Sequence, residues 1–298
     1  MTRPTRARAE GLRDAALVRA FTDAVAGKTE GLYASLAFSS RLPGPRPNLD
    51  LAEAVALECV AKGASAERLV TAMTTLGAVE APGGSPYEFI PMVGVIAAGA
   101  LGASLAKFRP RAVALLHDAA TDLRYRVRGV VPSALARIGE VEGEALVSAT
   151  AGWTDGYFHA AALLLALAQE RWLGALDDRD EVLARLDEAF SLAETAPRAA
   201  ERYPGRKALV EALADVPIAL TVRFGQPVLE LLARHSKTKM PELREAIEKT
   251  LASKKISGRH VDGVAMVRAA LAASETAPRD PTRLIKGMRS RGKKAKAR

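Results

Sequence analysis

Apolar positions along the chain fall into helical stripes, and the clearest lies between Pro110 and Glu140. Val127, Val130, Val131, Ala134, Leu135 and Ile138 stand at i, i+3, i+4, i+7, i+8 and i+11, one face at 100° per residue, while Arg126 and Arg137 lie off it. The spacing predicts a core-facing helix, with Asp122 available to cap its first turn and Gly139 to end it. The segment before it, from Arg111, places Val113, Leu116 and Ala120 on one face. Neither helix buries its stripe alone, so the two are expected to pack as an antiparallel hairpin. Similar patterns predict helices over 11–26, 30–40, 49–62, 65–78, 157–170, 179–193, 205–214, 217–224, 226–235, 240–254 and 259–273. Alternating strand patterns are missing and Ala and Leu abound, so the fold class is all-α.

Residues 81–109 form a different kind of segment. Ser85-Pro86-Tyr87-Glu88 fits a capping box with proline at the first helical position, and Ile90 to Ala106 is wholly apolar or small. Pro91, Gly94, Gly99 and Gly102 interrupt that run, which predicts a buried helix closely approached by its neighbours and no membrane span.

The hairpin recurs. Shifting the chain by 33 residues superposes Thr121-Asp122 on Thr154-Asp155, and the helix after the second pair carries a stripe through Ala161, Leu164, Leu165 and Ala168. Ala161 replaces the arginine of the first copy, whereas Leu243-Arg244 restores the Val127-Arg128 pattern with Thr238 in place of the aspartate. The stretch from Asp122 to Arg128, followed by Ala134-Leu135 and Ile138-Gly139, resembles the second half of a HEAT repeat, with an aspartate in the turn six residues before an arginine on the second helix. The resemblance covers residues 110–255. It implies stacked helical hairpins, an α-solenoid, in which Asp122 and Arg128 join a hydrogen-bonded ladder between repeats. The expected organisation is a flexible basic N-terminus over 1–10, an irregular helical cap over 11–106, the HEAT-like region over 107–275 and a basic tail over 276–298.

Charge adds a second layer. The chain carries a formal +9, of which residues 279–298 hold +8 and residues 1–20 hold +3, leaving −2 on the rest. The C-terminal tail, with Arg289, Arg291, Lys293, Lys294 and Lys296, has too few apolar residues to fold alone. Two readings of it stand open: phosphate contact giving salt-sensitive affinity for nucleic acid, or a solvated end that aids solubility. No apolar signal segment follows the Arg-rich start, and a single cysteine, Cys59, fits a reducing compartment, so a cytoplasmic location is expected.

Catalytic signals are thin. The four histidines, His117, His159, His235 and His260, show no zinc-binding spacing, so neither metal nor cofactor is expected. Cys59 lies in an apolar helix and reads as inert. Gly27-Lys28-Thr29 lacks the first glycine and the preceding strand of a phosphate loop. The alkylpurine DNA glycosylases are also built from HEAT-like repeats, and the similarity implies aromatic groups and a carboxylate around a cationic base. Trp153 with Asp155, and Trp172, Tyr125 and Tyr157, are the residues able to supply them, although Asp155 equally fits a helix cap. The expected function is therefore non-catalytic binding of nucleic acid, DNA before RNA, through the tails and an edge of Arg124, Arg126 and Arg128 beside Tyr125, with Trp153 nearby. A protein–protein scaffold is the rival, and a glycosylase using Asp155 the third reading.

Overall fold

Every regular element in the computed structural model is a helix; the structure describes residue 12 and residues 14–274. In chain order the α-helices are α1 (Ala15–Val25), α2 (Glu30–Ser39), α3 (Leu49–Lys62), α4 (Glu67–Thr74), α5 (Phe89–Ser104), α6 (Arg109–Ala120), α7 (Tyr125–Glu142) and α8 (Glu144–Ala149). They continue with α9 (Tyr157–Leu167), α10 (Glu170–Leu173), α11 (Asp180–Glu194), α12 (Pro204–Phe224), α13 (Gln226–His235), α14 (Pro241–Ala252), α15 (Lys254–Ser257) and α16 (Val261–Ala273).

Packing runs along one row. α5 lies between α3 and α7, α9 between α7 and α12, and α14 on the far side of α12. The intervening helices lean on that row: α4 and α6 on α5, α11 on α9 and α12, α13 on α12 and α16. One apolar core extends from Phe21 to Leu271, and the residues before 106, expected as an irregular helical cap, supply α3 and α5 to the same row. The row's helices α3, α7 and α12 stop alike, each on a glycine in one backbone conformation: Gly63 at φ 57, ψ −133, Gly143 at φ 56, ψ −128, and Gly225 at φ 70, ψ −131. Only glycine adopts that region without strain, and it turns the chain directly into the next helical segment.

At the centre sits α5, buried at every position from Phe89 to Gly102. By length and composition the segment Pro86–Ser104 is apolar enough to cross a membrane, but 83% of its apolar window is buried inside the protein. Its glycines are contact points with three different helices. A Cβ on Gly94 would overlap the backbone of Met73 and Thr74 in α4, one on Gly99 would overlap Ala134 in α7, and one on Gly102 would crowd Ala112 of α6 and Ile138 of α7.

Several helix limits depart from the spacing: α4, expected to reach 78, ends at Thr74, and α7 and α12 depart for reasons the packing shows. α7 does not stop at Gly139 but continues to Glu142; Gly139 lies against Trp172, whose fully buried indole fills the space a Cβ would need and donates from Nε1 to the Gly143 carbonyl at 3.1 Å. The break expected between 214 and 217 is absent: α12 runs through Pro217, which forgoes one backbone bond while Leu213, Val216 and Leu220 hold both flanks in the core. Asp122 also does not cap α7. The N-cap is Arg124, and Asp122 Oδ1 accepts from the Arg124 backbone N–H at 2.8 Å, closing a turn just ahead of the helix.

Gly139→Ala should lower the stability of the folded chain by on the order of 3 kcal/mol, because neither the indole nor the helix backbone has room to retreat. The urea midpoint reads this directly, and an unchanged midpoint would contradict the packing.

Candidate functional site

The starts of the row's helices come together on one edge. Arg126 Nη1, on α7, donates to Glu88 Oε2 just ahead of α5 at 3.1 Å. The Arg128 guanidinium lies 4.4 Å over the Phe158 ring at the start of α9. Tyr203, the N-cap of α12, stands 5.7 Å from Phe158 and 6.1 Å from Tyr157 between ring centroids. Arg206 on α12 then reaches Met240 Sδ at 3.4 Å and Glu242 Oε1 at 3.9 Å, where α14 begins. Four of the chain's five tyrosines stand at these starts: Tyr87 before α5, Tyr125 on α7, Tyr157 on α9 and Tyr203 before α12. Tyr125 is 63% exposed, Tyr203 46% and Tyr87 45%, with the bare side chain of Leu123 beside Tyr125.

The three arginines of this edge are bound inward. Arg124 is buried, its side chain only 4% exposed: Nε and Nη2 donate to the two Asp122 carboxylate oxygens at 2.8 and 2.6 Å, Nη2 to the Leu76 carbonyl at 2.8 Å, and Nη1 to the Ala81 and Gly77 carbonyls at 2.9 and 3.2 Å. It ties the loop after α4 to the start of α7 and offers nothing to a phosphate. Arg126 is shared by Glu88, the Gly44 carbonyl and the face of Tyr125. Arg128 donates to the Asp122 backbone carbonyl besides covering Phe158. The expected Asp122–Arg128 ladder is accordingly replaced: the carboxylate of Asp122 belongs to Arg124. Burial alone would raise the Asp122 pKa, but the side-chain and backbone hydrogen bonds from Arg124 and the charges of Arg124 and Arg128 outweigh it and hold the pKa below the ordinary 3.8.

Behind the edge lies a second group. Trp153 and Asp155 come from a short 3-10 turn, Ala151–Asp155, ahead of α9. Trp153 is buried, its ring edge-on to His117 of α6 at 5.2 Å and to His159 of α9 at 6.2 Å, so it is no open stacking platform. Trp172 is buried as well, which leaves the imagined base-binding cradle without an open tryptophan wall. The two imidazoles stack at 3.7 Å with planes 17° apart. Asp155, exposed, sits beside both: its Oδ1 lies 2.7 Å from His159 Nδ1 and its Oδ2 3.3 Å from His117 Nε2. It does not cap α9, whose N-cap is Gly156. Two of the four histidines read from spacing as scattered are thus ring to ring. The signal for half of this was local, since Asp155 and His159 are four apart at a helix start; His117 arrives only through packing of α6 on α9.

Cys59 is fully buried, and burial, with the Glu58 charge adding, pushes its thiol up to about 12. The tail residues Arg289, Arg291, Lys293, Lys294 and Lys296 lie outside the described residues. Comparison with protein-family models, with curated proteins and with solved structures finds no match to this chain.

Arg124→Met should cost about 3–5 kcal/mol, because it strands the Asp122 carboxylate and the Leu76, Gly77 and Ala81 carbonyls, and Arg124→Lys should rescue little of it. The Asp122 contribution follows pH with a definite sign. It is fully present above 3.8, the ordinary carboxylate value, and is lost as pH falls through the depressed folded value. The gap in urea midpoint between the native chain and Asp122→Asn should therefore be widest near neutral pH and shrink in acid; a gap independent of pH would refute the pairing. The Cys59 thiol should react with a thiol reagent at neutral pH only as fast as the chain unfolds, measured by comparing modification rates with and without denaturant.

Proposed function

We propose that this chain is a non-catalytic HEAT-like α-solenoid acting in the cytoplasm, and that it binds nucleic acid along the edge where α5, α7, α9 and α12 begin. One observation carries the reading: a tyrosine stands at the start of each of four neighbouring helices of the row, α5, α7, α9 and α12, three of them well exposed. Unpaired backbone N–H groups and the positive ends of the helix dipoles collect on such an edge and favour phosphate, while tyrosine rings give bases a surface to stack on. Exposed rings accept unpaired bases more readily than a closed duplex, so a single strand is the preferred form, with DNA ahead of RNA. Arg126 and Arg128 serve the edge indirectly, by fixing Tyr125 and Phe158. The basic C-terminal tail adds salt-sensitive attraction that the near-neutral remainder does not supply.

A protein partner is the second reading, and the inward commitment of Arg124, Arg126 and Arg128 favours it, since an edge short of free cations suits a peptide or helix better than a polyanion.

Fluorescence anisotropy with labelled single-stranded and duplex DNA at two salt concentrations separates the two. The full chain should bind single strands with a log–log salt slope of several units. Tyr125→Ala combined with Tyr203→Ala should weaken that binding by about tenfold or more, each stacked base being worth about 1–3 kcal/mol. Loss of affinity on ending the chain at Pro278, with no effect of the tyrosines, would assign binding to the tail alone and sink the edge. Absence of binding by any form would leave the protein-partner reading.

A further inference from the structure

We propose that His117, Asp155 and His159 form a divalent transition-metal site that takes Zn2+, held by two imidazole nitrogens and one carboxylate oxygen with a remaining position open to solvent. One donor atom from each of the three residues lies within 4.8 Å of the other two. A tetrahedral zinc ion with bonds of about 2.0–2.2 Å holds its ligand atoms about 3.3–3.6 Å apart, a spacing the donors must close to on loading, and three protein ligands with one free position is the pattern of an accessible site. The donor set itself selects the class of ion: two imidazoles with a single carboxylate suit zinc, copper or nickel, whereas calcium and magnesium demand oxygen.

Independent features of the cluster point the same way. His159 Nε2 is buried and has no hydrogen-bond partner, so the ring is left with an unused polar atom in its present setting. His159 Nδ1 is already in hydrogen-bond contact with Asp155 Oδ1 at 2.7 Å, a contact that a metal would replace as it binds. Space for the His159 ring is kept open by Gly156, where a Cβ would come within 3.1 Å of Nδ1. Trp153 forms an apolar wall edge-on to both rings, and Asp155 stays exposed on the other side, which gives an ion a route in from solvent. The rings stack nearly parallel, so their lone pairs do not converge as they stand. Loading the site therefore requires the imidazoles to rotate out of the stack toward the shared carboxylate, and the exposed carboxylate is free to follow.

The site does not depend on the partner chosen above, and its test is separate. The full chain, stripped with chelator and dialysed, is titrated with Zn2+ against a chromophoric indicator and, in parallel, with Co2+ while the visible spectrum is recorded. About one zinc ion should bind per chain, and Co2+ should give the intense d–d absorption of low-coordinate nitrogen and oxygen ligation. His117→Gln, His159→Gln and Asp155→Asn should each weaken zinc binding by about tenfold or more, the loss already typical of second-shell changes, while His260→Gln leaves it unchanged. Because a variant can fail to fold, the native chain is also followed by imidazole nitrogen NMR: of four histidines, two should shift on adding Zn2+ while His235 and His260 stay in place. Absence of zinc binding, a Co2+ spectrum no different from the hexaaqua ion, or stoichiometric binding that survives all three ligand variants would overturn the proposal.

Discussion

The close approach of backbones to α5 sets most of the remaining geometry. A helix with no polar face must be enclosed, and Phe89, Ile90, Met92, Val93 and Leu101 each contribute on the order of 1.5–3 kcal/mol once out of water. Enclosure at that density requires neighbours nearer than ordinary side chains permit, which Gly94, Gly99 and Gly102 allow toward α4, α7 and α6. Fixing α7 against α5 brings its first turn over the head of α5. There Glu88, fully buried, accepts from the Gly84 backbone N–H at 2.7 Å and from Arg126. A buried carboxylate without such partners would be strongly unfavourable, so Arg126 is held where the packing of α5 needs it.

Helix existence was legible because each stripe states its own period. Residues 49–62 and 226–235 match α3 and α13 to the residue, the first with Asn48 accepting from the Leu51 N–H as its cap. Ends were harder, for a reason visible at Gly139 and Gly143. Both are glycines near the end of one helix, yet the first is required by the Trp172 indole and the second by a positive φ. The residue type is the same and the cause lies at Trp172, far along the chain, or in the backbone, neither of which the local pattern displays. Pro217 misled in the same way, since the apolar burial on both of its sides outweighs one missing bond.

The inward bonding of the arginine edge was not legible for a related reason. Arg124, Arg126 and Arg128 stand at alternate positions in a polar stretch where Asp122 is the one acid, and it takes up Arg124 with its carboxylate and Arg128 with its backbone carbonyl. Their remaining partners are the Glu88 carboxylate, the carbonyls of Leu76, Gly77, Ala81 and Gly44 and the ring of Phe158, all supplied by other helices and loops. A cluster of like charges reads as a free cationic surface until the fold reveals which carbonyls at helix and loop ends need donors. The aromatic side of the edge was partly visible in Tyr125, but its repetition at Tyr87, Tyr157 and Tyr203 becomes meaningful only when parallel helix starts are aligned.

The 33-residue offset that superposes Asp122 on Asp155 connects the fold to its most reactive cluster. At Asp122 the carboxylate is saturated by a buried arginine, and the turn it closes is part of the seam between α4 and α7. At Asp155 no arginine arrives: Tyr157 stands where Arg124 does in the first stretch and Ala161 where Arg128 does, and the carboxylate is left exposed beside His159 and His117. The same turn position is thus tied into the seam in one copy and freed in the next. A carboxylate that the fold no longer needs for its own satisfaction, set against two imidazoles and a buried indole, keeps a structural address while its chemistry is released for ligands. The proposed metal site rests on that contrast: Asp122 is taken up by a buried arginine, whereas Asp155 faces solvent beside two imidazoles.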